Sequence, residues 1–159
     1  SPVRPAKIIF AKMIPYFVIS CIVLVAILLL ARYMLGVPMS GGVAGIFILS
    51  LLYLVLSLSL GLLVSTIAGT QVAALLISAV VLMMPILMLS GLLFPIENLP
   101  LFFQVVSNIV PARWYIDAVR KMMIQGLPLA EVWQHSLILL SMTVALISIS
   151  LKKFNDKLE

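Results

Sequence analysis

Four apolar runs, each long enough to cross a bilayer and each bounded by charged or turn-forming residues, constrain this chain more than any other feature. A hydrocarbon core about 30 Å thick takes roughly 20 helical residues at about 1.5 Å each. Runs of that size fall at about 13–31, 43–64, 72–93 and 132–151. With 64% hydrophobic residues, 9% charged and a mean hydropathy of +1.31, the 159 residues carry more apolar surface than a soluble core of that size hides. Lipid is therefore the expected solvent. The expected fold is an all-α membrane protein with four transmembrane helices in a single domain over 1–159.

The net charge of +5 does not point to nucleic acid. Lys and Arg sit at the ends of apolar runs rather than among aromatics on a polar face, which is the pattern of membrane topology signals, so membrane lipids are the expected contact. Four spans place both termini on one side. Arg4, Lys7, Lys12, Lys152, Lys153 and Lys157 lie there, against Arg32, Arg113, Arg120 and Lys121 on the other. The positive-inside rule then makes both termini cytoplasmic. The lone Cys21 forms neither an internal disulfide nor a metal site, and reads as a small packed hydrophobe. The start, SPVRPAK, has no initiator Met and no signal-peptide architecture, which suggests a piece of a longer protein.

Within the spans, polar residues are few and patterned. Regular helix should begin after Pro5, with Pro15 in the first turn of the first span, where a missing N–H costs least. In the second span Ser50, Tyr53, Ser57 and Gly61 recur at steps of three and four, so they share one helical face. That face serves either close packing against a sister helix, the commoner use, or a pathway-lining stripe. The short link at 65–71 should set the third span antiparallel beside the second. Pro85 should kink the third span, with Met83, Met84 and Met88 as flexible packing around the bend. His135, one turn into the last span, is either a satisfied interfacial residue or a proton-relay group.

Between the third and fourth spans the chain does something an ordinary loop does not. After Phe94-Pro95 comes a second apolar stretch, LPLFFQVVSNI, too short to span. Pro111 then opens a short helix to Ile124, with Gly126 placed to cap it. Two short helices split by a proline, at about 97–126, read as a re-entrant or interfacial hairpin. Such backbone is tolerated at membrane depth only beside protein or a water-filled cavity. Its candidate pathway residues are Pro95, Glu97, Pro111, Arg113, Tyr115, Asp117 and Arg120. Arg113 and Asp117 are four apart and should face the same way, with Arg120 and Lys121 also within reach of the acid. No second acid or metal-ligand spacing accompanies Asp117 and no Ser–His pair forms a nucleophile setting, so an intramembrane enzyme is unsupported. The remaining alternatives are a transport subunit and a non-transporting membrane assembly protein.

The strings LSGLLFPIENLP and NIVPARWYIDAVR, followed by a last span with a basic tail, resemble the C-terminal half of an ABC-2 type transporter permease. The opening SPVRPAKIIFAKMIPYF resembles the segment that follows the cytoplasmic coupling helix in that family. The resemblance implies a six-span subunit of which these are the third to sixth spans, with the hairpin as the outer re-entrant helices near the exit of the pathway. It implies an exporter of a drug-like, lipid-like or glycan substrate in a bacterial cytoplasmic membrane. It also implies a second permease subunit, identical or not, and a separate or fused ATP-binding cassette subunit. The chain has no G-x-x-x-x-G-K-[ST] string, so ATP is expected on that partner, and no cofactor in this chain.

Overall fold

The computed structural model describes residues 5–38, 42–91 and 94–158, and among them every regular element is helical. Helix α1 runs Pro5–Leu29 and continues through a π-helical turn, Leu30–Met34. Helix α2 is Val43–Ile67, and α3 covers Gln71–Leu89. After a 3-10 turn at Ile96–Asn98 come the short helices α4, Leu101–Ser107, and α5, Pro111–Ile124. A second 3-10 turn, Leu129–Val132, leads into α6, Trp133–Leu158. Four segments are long and apolar enough to cross a membrane: Phe10–Met34, Val43–Ile67, Gln71–Leu89 and Leu129–Lys153. They overlap all four runs expected from the sequence. Leu92 and Leu93, the expected end of the third span, lie outside the described residues.

Two proline expectations need correction or refinement. Pro15 lies inside α1 rather than in its first turn, because helix already starts at Pro5, whose fixed φ suits the first helical position. The distortion expected at Pro85 appears one turn ahead of it, as the π-helical segment Ile77–Met83. The proline ring clashes with the carbonyl four residues back, at Val81, and widening the helix there relieves the clash. Met83, Met84 and Met88 are exposed rather than packed around this bend, so they face away from the chain's own core.

The centre of the molecule is the pairing of α2 with α6, with α5 laid across both. Ile46, Leu49 and Leu56 of α2 meet Val132 and Leu139, and Ala118 and Met122 of α5 complete the cluster. Farther along the pair, Ser59 and Ser150 are fully buried, and the Ser150 hydroxyl donates to the Ser59 carbonyl at 3.5 Å. Ser59 and Thr143 also bond the carbonyls one turn back, Val55 and Leu139, each at 2.8 Å. Lipid is as apolar as leucine, so helix association rests on such close packing and hydroxyl bonds rather than on hydrophobic transfer. The three-residue link from Ala68 to Thr70 does reverse the chain, and the Thr70 hydroxyl caps α3 by accepting from the Ala73 N–H at 3.1 Å. Helix α3 meets α2 through its π-helical middle, Ile77–Met83, and its last turns, Met84–Leu89, touch both helices of the hairpin. Its spanning window has no buried residue, so this packing is loose.

Candidate functional site: the hairpin and its cleft

The turn of the hairpin reaches deep into the helical frame. Ile109, Val110 and Pro111 border the same groove as Pro85 of α3 and Met142 and Ala145 of α6. Met142 lies about 14 Å along α6 from Trp133, near the middle of the span. From that depth α5 climbs outward beside α2. Tyr115 meets Ser50 and Tyr53, and higher up the Met122 methyl lies 2.9 Å from where a Cβ on Gly45 would stand. The hairpin is therefore re-entrant in shape; at its turn Val110 is buried against the frame, while Asn108 and Ile109 stay exposed.

Helix α5 has two unlike faces. Ala112, Ala118 and Met122 are buried against the frame, while Arg113, Asp117 and Arg120 line a cleft of about 470 Å³. Pro95, Glu97 and Gln104 contribute the opposite side, and Ser90 and Gly91 its rim at the end of α3. Five of the seven hairpin residues singled out in the sequence thus share one cleft. Pro111 and Tyr115 do not: Pro111 borders the deep groove, and Tyr115 turns to the frame.

Tyr115 stacks on Tyr53 with ring centroids 4.4 Å apart and planes within 5°, and its hydroxyl shares a 2.6 Å hydrogen bond with the Ser50 hydroxyl. Burial pushes the Tyr115 phenol above its ordinary range, only partly countered by that bond, so it stays neutral at physiological pH. The stripe on α2 is thereby divided. Ser50 and Tyr53 receive α5, whereas Ser57 and Gly61 border an open cavity of about 750 Å³ shared with Lys12, Met13 and Tyr16 of α1. A Cβ on Gly61 would meet nothing within 4 Å.

The expected Arg113–Asp117 pair does not form. The Arg113 guanidinium donates to the Asn108 side chain and lies over the Trp114 ring, 4.8 Å from its centroid. The Trp114 indole N–H donates to the Asn108 carbonyl at 3.0 Å, so Asn108 ties down the corner before Pro111. Arg120 reaches across the cleft to the Gly91 carbonyl at 3.3 Å. Gly91 has φ +87°, a conformation that an L side chain rarely adopts.

Asp117 pairs instead with Lys121, 3.2 Å from its Oδ2, and with His135 of α6, whose Nε2 lies 2.6 Å from the same oxygen. Burial alone would raise the Asp117 carboxyl. The bonds from His135 and Lys121 outweigh it and hold the group below its ordinary value, so it is ionised at neutral pH. His135 is 9% exposed, with the Trp114 ring edge-on at 5.8 Å, and its Nδ1 is buried without a protein partner. The carboxylate–imidazole contact thus adds a polar tie between the re-entrant helix and the last span to their apolar packing. Among the described residues no group of His, Cys, Asp and Glu could hold a metal ion.

Sequence reasoning named both Asp117 and His135 but did not connect them. A signal was present: an imidazole inside a span needs a partner, and Asp117 was the only acid within the apolar architecture. Asn108 and the Gly91 carbonyl were missed outright, since their roles depend on how the corner and the end of α3 fold.

A family model described as ABC-2 family transporter protein matches residues 1–152. The chain belongs to this family. The probable multidrug ABC transporter permease YbhS of Escherichia coli (strain K12) is 31% identical over 120 residues, 76% of this chain and 32% of that protein. ABC transporter G family member 20 of Dictyostelium discoideum is 32% identical over 157 residues, 98% of this chain and 21% of that protein. The probable multidrug ABC transporter permease YbhR of Escherichia coli (strain K12) is 27% identical over 157 residues, 99% of this chain and 42% of that protein. The chain spans between a fifth and under half the length of these relatives. No solved structure matches it at a significant level. Family membership and four apolar helices make this ABC-2 protein a multi-pass membrane protein.

Proposed function

We propose that this chain forms the C-terminal half of the membrane subunit of an ATP-driven exporter, with the hairpin at the outer mouth of the transport path. The observation that carries this reading is the two-faced α5. One face is locked into the helical frame, and the other presents Arg113, Asp117 and Arg120 to an outer cleft. A polar, re-entrant helix is stable at membrane depth only beside protein or water, and a water-filled exit supplies that condition. The names of YbhS and YbhR, probable multidrug ABC transporter permeases, favour export of drug-like compounds, with lipid-like and glycan substrates as the other classes. In this reading the permease is not an enzyme. ATP is hydrolysed on a separate or fused ATP-binding cassette subunit, and a second permease subunit completes the pathway. Both termini of this chain are cytoplasmic, in a bacterial inner membrane.

The test is co-purification of the complete permease with its ATP-binding subunit, followed by substrate-stimulated ATPase and export measurements. Co-purification and export that falls with Asp117→Asn at matched expression are expected. A protein that reaches the membrane but neither associates with an ATPase nor changes the efflux of any compound would be an assembly protein instead.

A further inference from the structure

The outer cleft does not stand alone. Below it lies an apolar groove of about 390 Å³, lined among others by Val81, Leu82, Pro85, Met142, Ala145 and Leu146. The first turn of α5 divides the two spaces: Val110 and Pro111 face the groove, Arg113 and Trp114 the cleft. Helix α3 walls the groove with Val81, Leu82, Pro85 and Ile86, and Ser90 and Gly91 at its end border the cleft. No residue of the spanning window of α3 is buried, so this wall is not sealed by the chain's own packing.

The cleft carries both signs of charge, and its α5 side carries both arginines. Arg113 and Arg120 stand two turns apart on α5, about 10 Å along its axis. Each uses one of its five N–H donors on a protein acceptor, Asn108 and Gly91 respectively, which orients the guanidinium and leaves further donors for a ligand. Asp117 lies between them, but Lys121 and His135 already engage it. Glu97, on the opposite wall, makes no ion pair among the described residues. Two guanidiniums facing one carboxylate complement a head group that carries both a phosphate and an ammonium, and the groove beneath suits an acyl chain.

We propose that cleft and groove together bind one zwitterionic phospholipid from the bilayer, its phosphate on Arg113 and Arg120, its ammonium on Glu97 and an acyl chain in the groove. This deepens the exporter reading and rests on it, by giving the outer mouth a phospholipid-class ligand. The complete permease in a maltoside detergent is titrated calorimetrically with three probes. They are dihexanoyl phosphatidylethanolamine, dihexanoyl phosphatidic acid and the chain-free head group glycerophosphoethanolamine. The zwitterionic lipid should bind at least tenfold more tightly than the head group alone and several-fold more tightly than the acid. Arg113→Gln with Arg120→Gln should weaken both lipids at least tenfold. Glu97→Gln, at an exposed loop position that does not threaten folding, should abolish the preference for the zwitterion. Ala145→Phe should weaken the lipids and leave the head group unaffected. A head group that binds as well as the lipid would make the cleft a site for soluble phosphate compounds and overturn the proposal. So would lipid affinity indifferent to the arginines. Neither result touches the exporter reading, which stands or falls on ATPase association and efflux.

Discussion

At the scale of single residues, Asp117 has two partners on two elements, and each fixes a consequence of removing it. Its bond to Lys121 lies within α5 and is half exposed, worth about 0.3–0.5 kcal/mol. Its bond to His135 joins α5 to α6 with the imidazole buried and the carboxylate half exposed, and after solvent screening such a bond is worth about 1 kcal/mol. Asp117→Asn should therefore loosen the hairpin and lower export in the complete permease, with Arg120→Gln milder because the bond it loses within the protein is an exposed one to Gly91. Efflux at matched expression checks the order of the two. The double exchange Arg113→Asp with Asp117→Arg should restore nothing, since these side chains are not partners; recovery of export would show that they are. The pH dependence follows from the sign of the shift. A carboxyl held below its ordinary value stabilises the fold above the unfolded value, about 3.9, and loses that contribution as pH falls through the lower, folded value. The melting difference between wild type and Asp117→Asn should accordingly shrink as the pH falls below about 3.9 and through the lower, folded value. On the other face of α5, Tyr115→Phe removes the partner of the buried Ser50 hydroxyl. The loss should be about 1 kcal/mol, and a double-mutant cycle with Ser50→Ala should assign it to that pair.

At the scale of elements, two glycines on α2 separate packing that exists from packing that was only expected. A side chain on Gly45 runs into the Met122 methyl of α5, so Gly45→Leu should cost about 1–3 kcal/mol through overpacking. Gly61 has room, so Gly61→Leu should be nearly silent in this chain alone and costly only if another helix occupies the cavity beside α1 in the complete assembly. Thermal melts of both variants, in this chain and in the complete permease, distinguish the cases. The spans and the hairpin were legible because their signals are local: run length, hydropathy, and prolines at 95, 100 and 111. Helix pairing was not. In a leucine-rich sequence nothing local selects a neighbour, and the small-residue seam that α2 actually uses, Ser59 against Ser150, is read only once α6 is beside it. The rule for residues four apart failed at Arg113 for a related reason: the Pro111 corner brings Asn108 within its reach first. The cleft was legible as a set of residues, the partners of its charges much less so.

At the scale of the whole molecule, orientation is the property on which the outer cleft depends. Six of the ten Lys and Arg residues flank the ends of α1 and α6 on the side of the termini. Of the four on the hairpin side, Lys121 is paired with Asp117. Arg113 is folded onto Asn108 and Trp114 at the base of α5. The count of Lys and Arg, six against four, is what makes cytoplasmic termini the expected orientation, and labelling tests it. Gln125, at the end of α5, and Lys153, at the end of the last spanning segment, mark opposite faces of the bilayer. Single cysteines are placed at Gln125 or Lys153 of the complete permease, with Cys21→Ala and any other cysteine replaced. Intact cells are then treated with a membrane-impermeant maleimide. Gln125→Cys should label from outside, and Lys153→Cys only after the cells are opened. The reverse pattern would turn the molecule over and put the cleft of Arg113, Arg120 and Glu97 on the cytoplasmic face, where it would be an entrance rather than an exit.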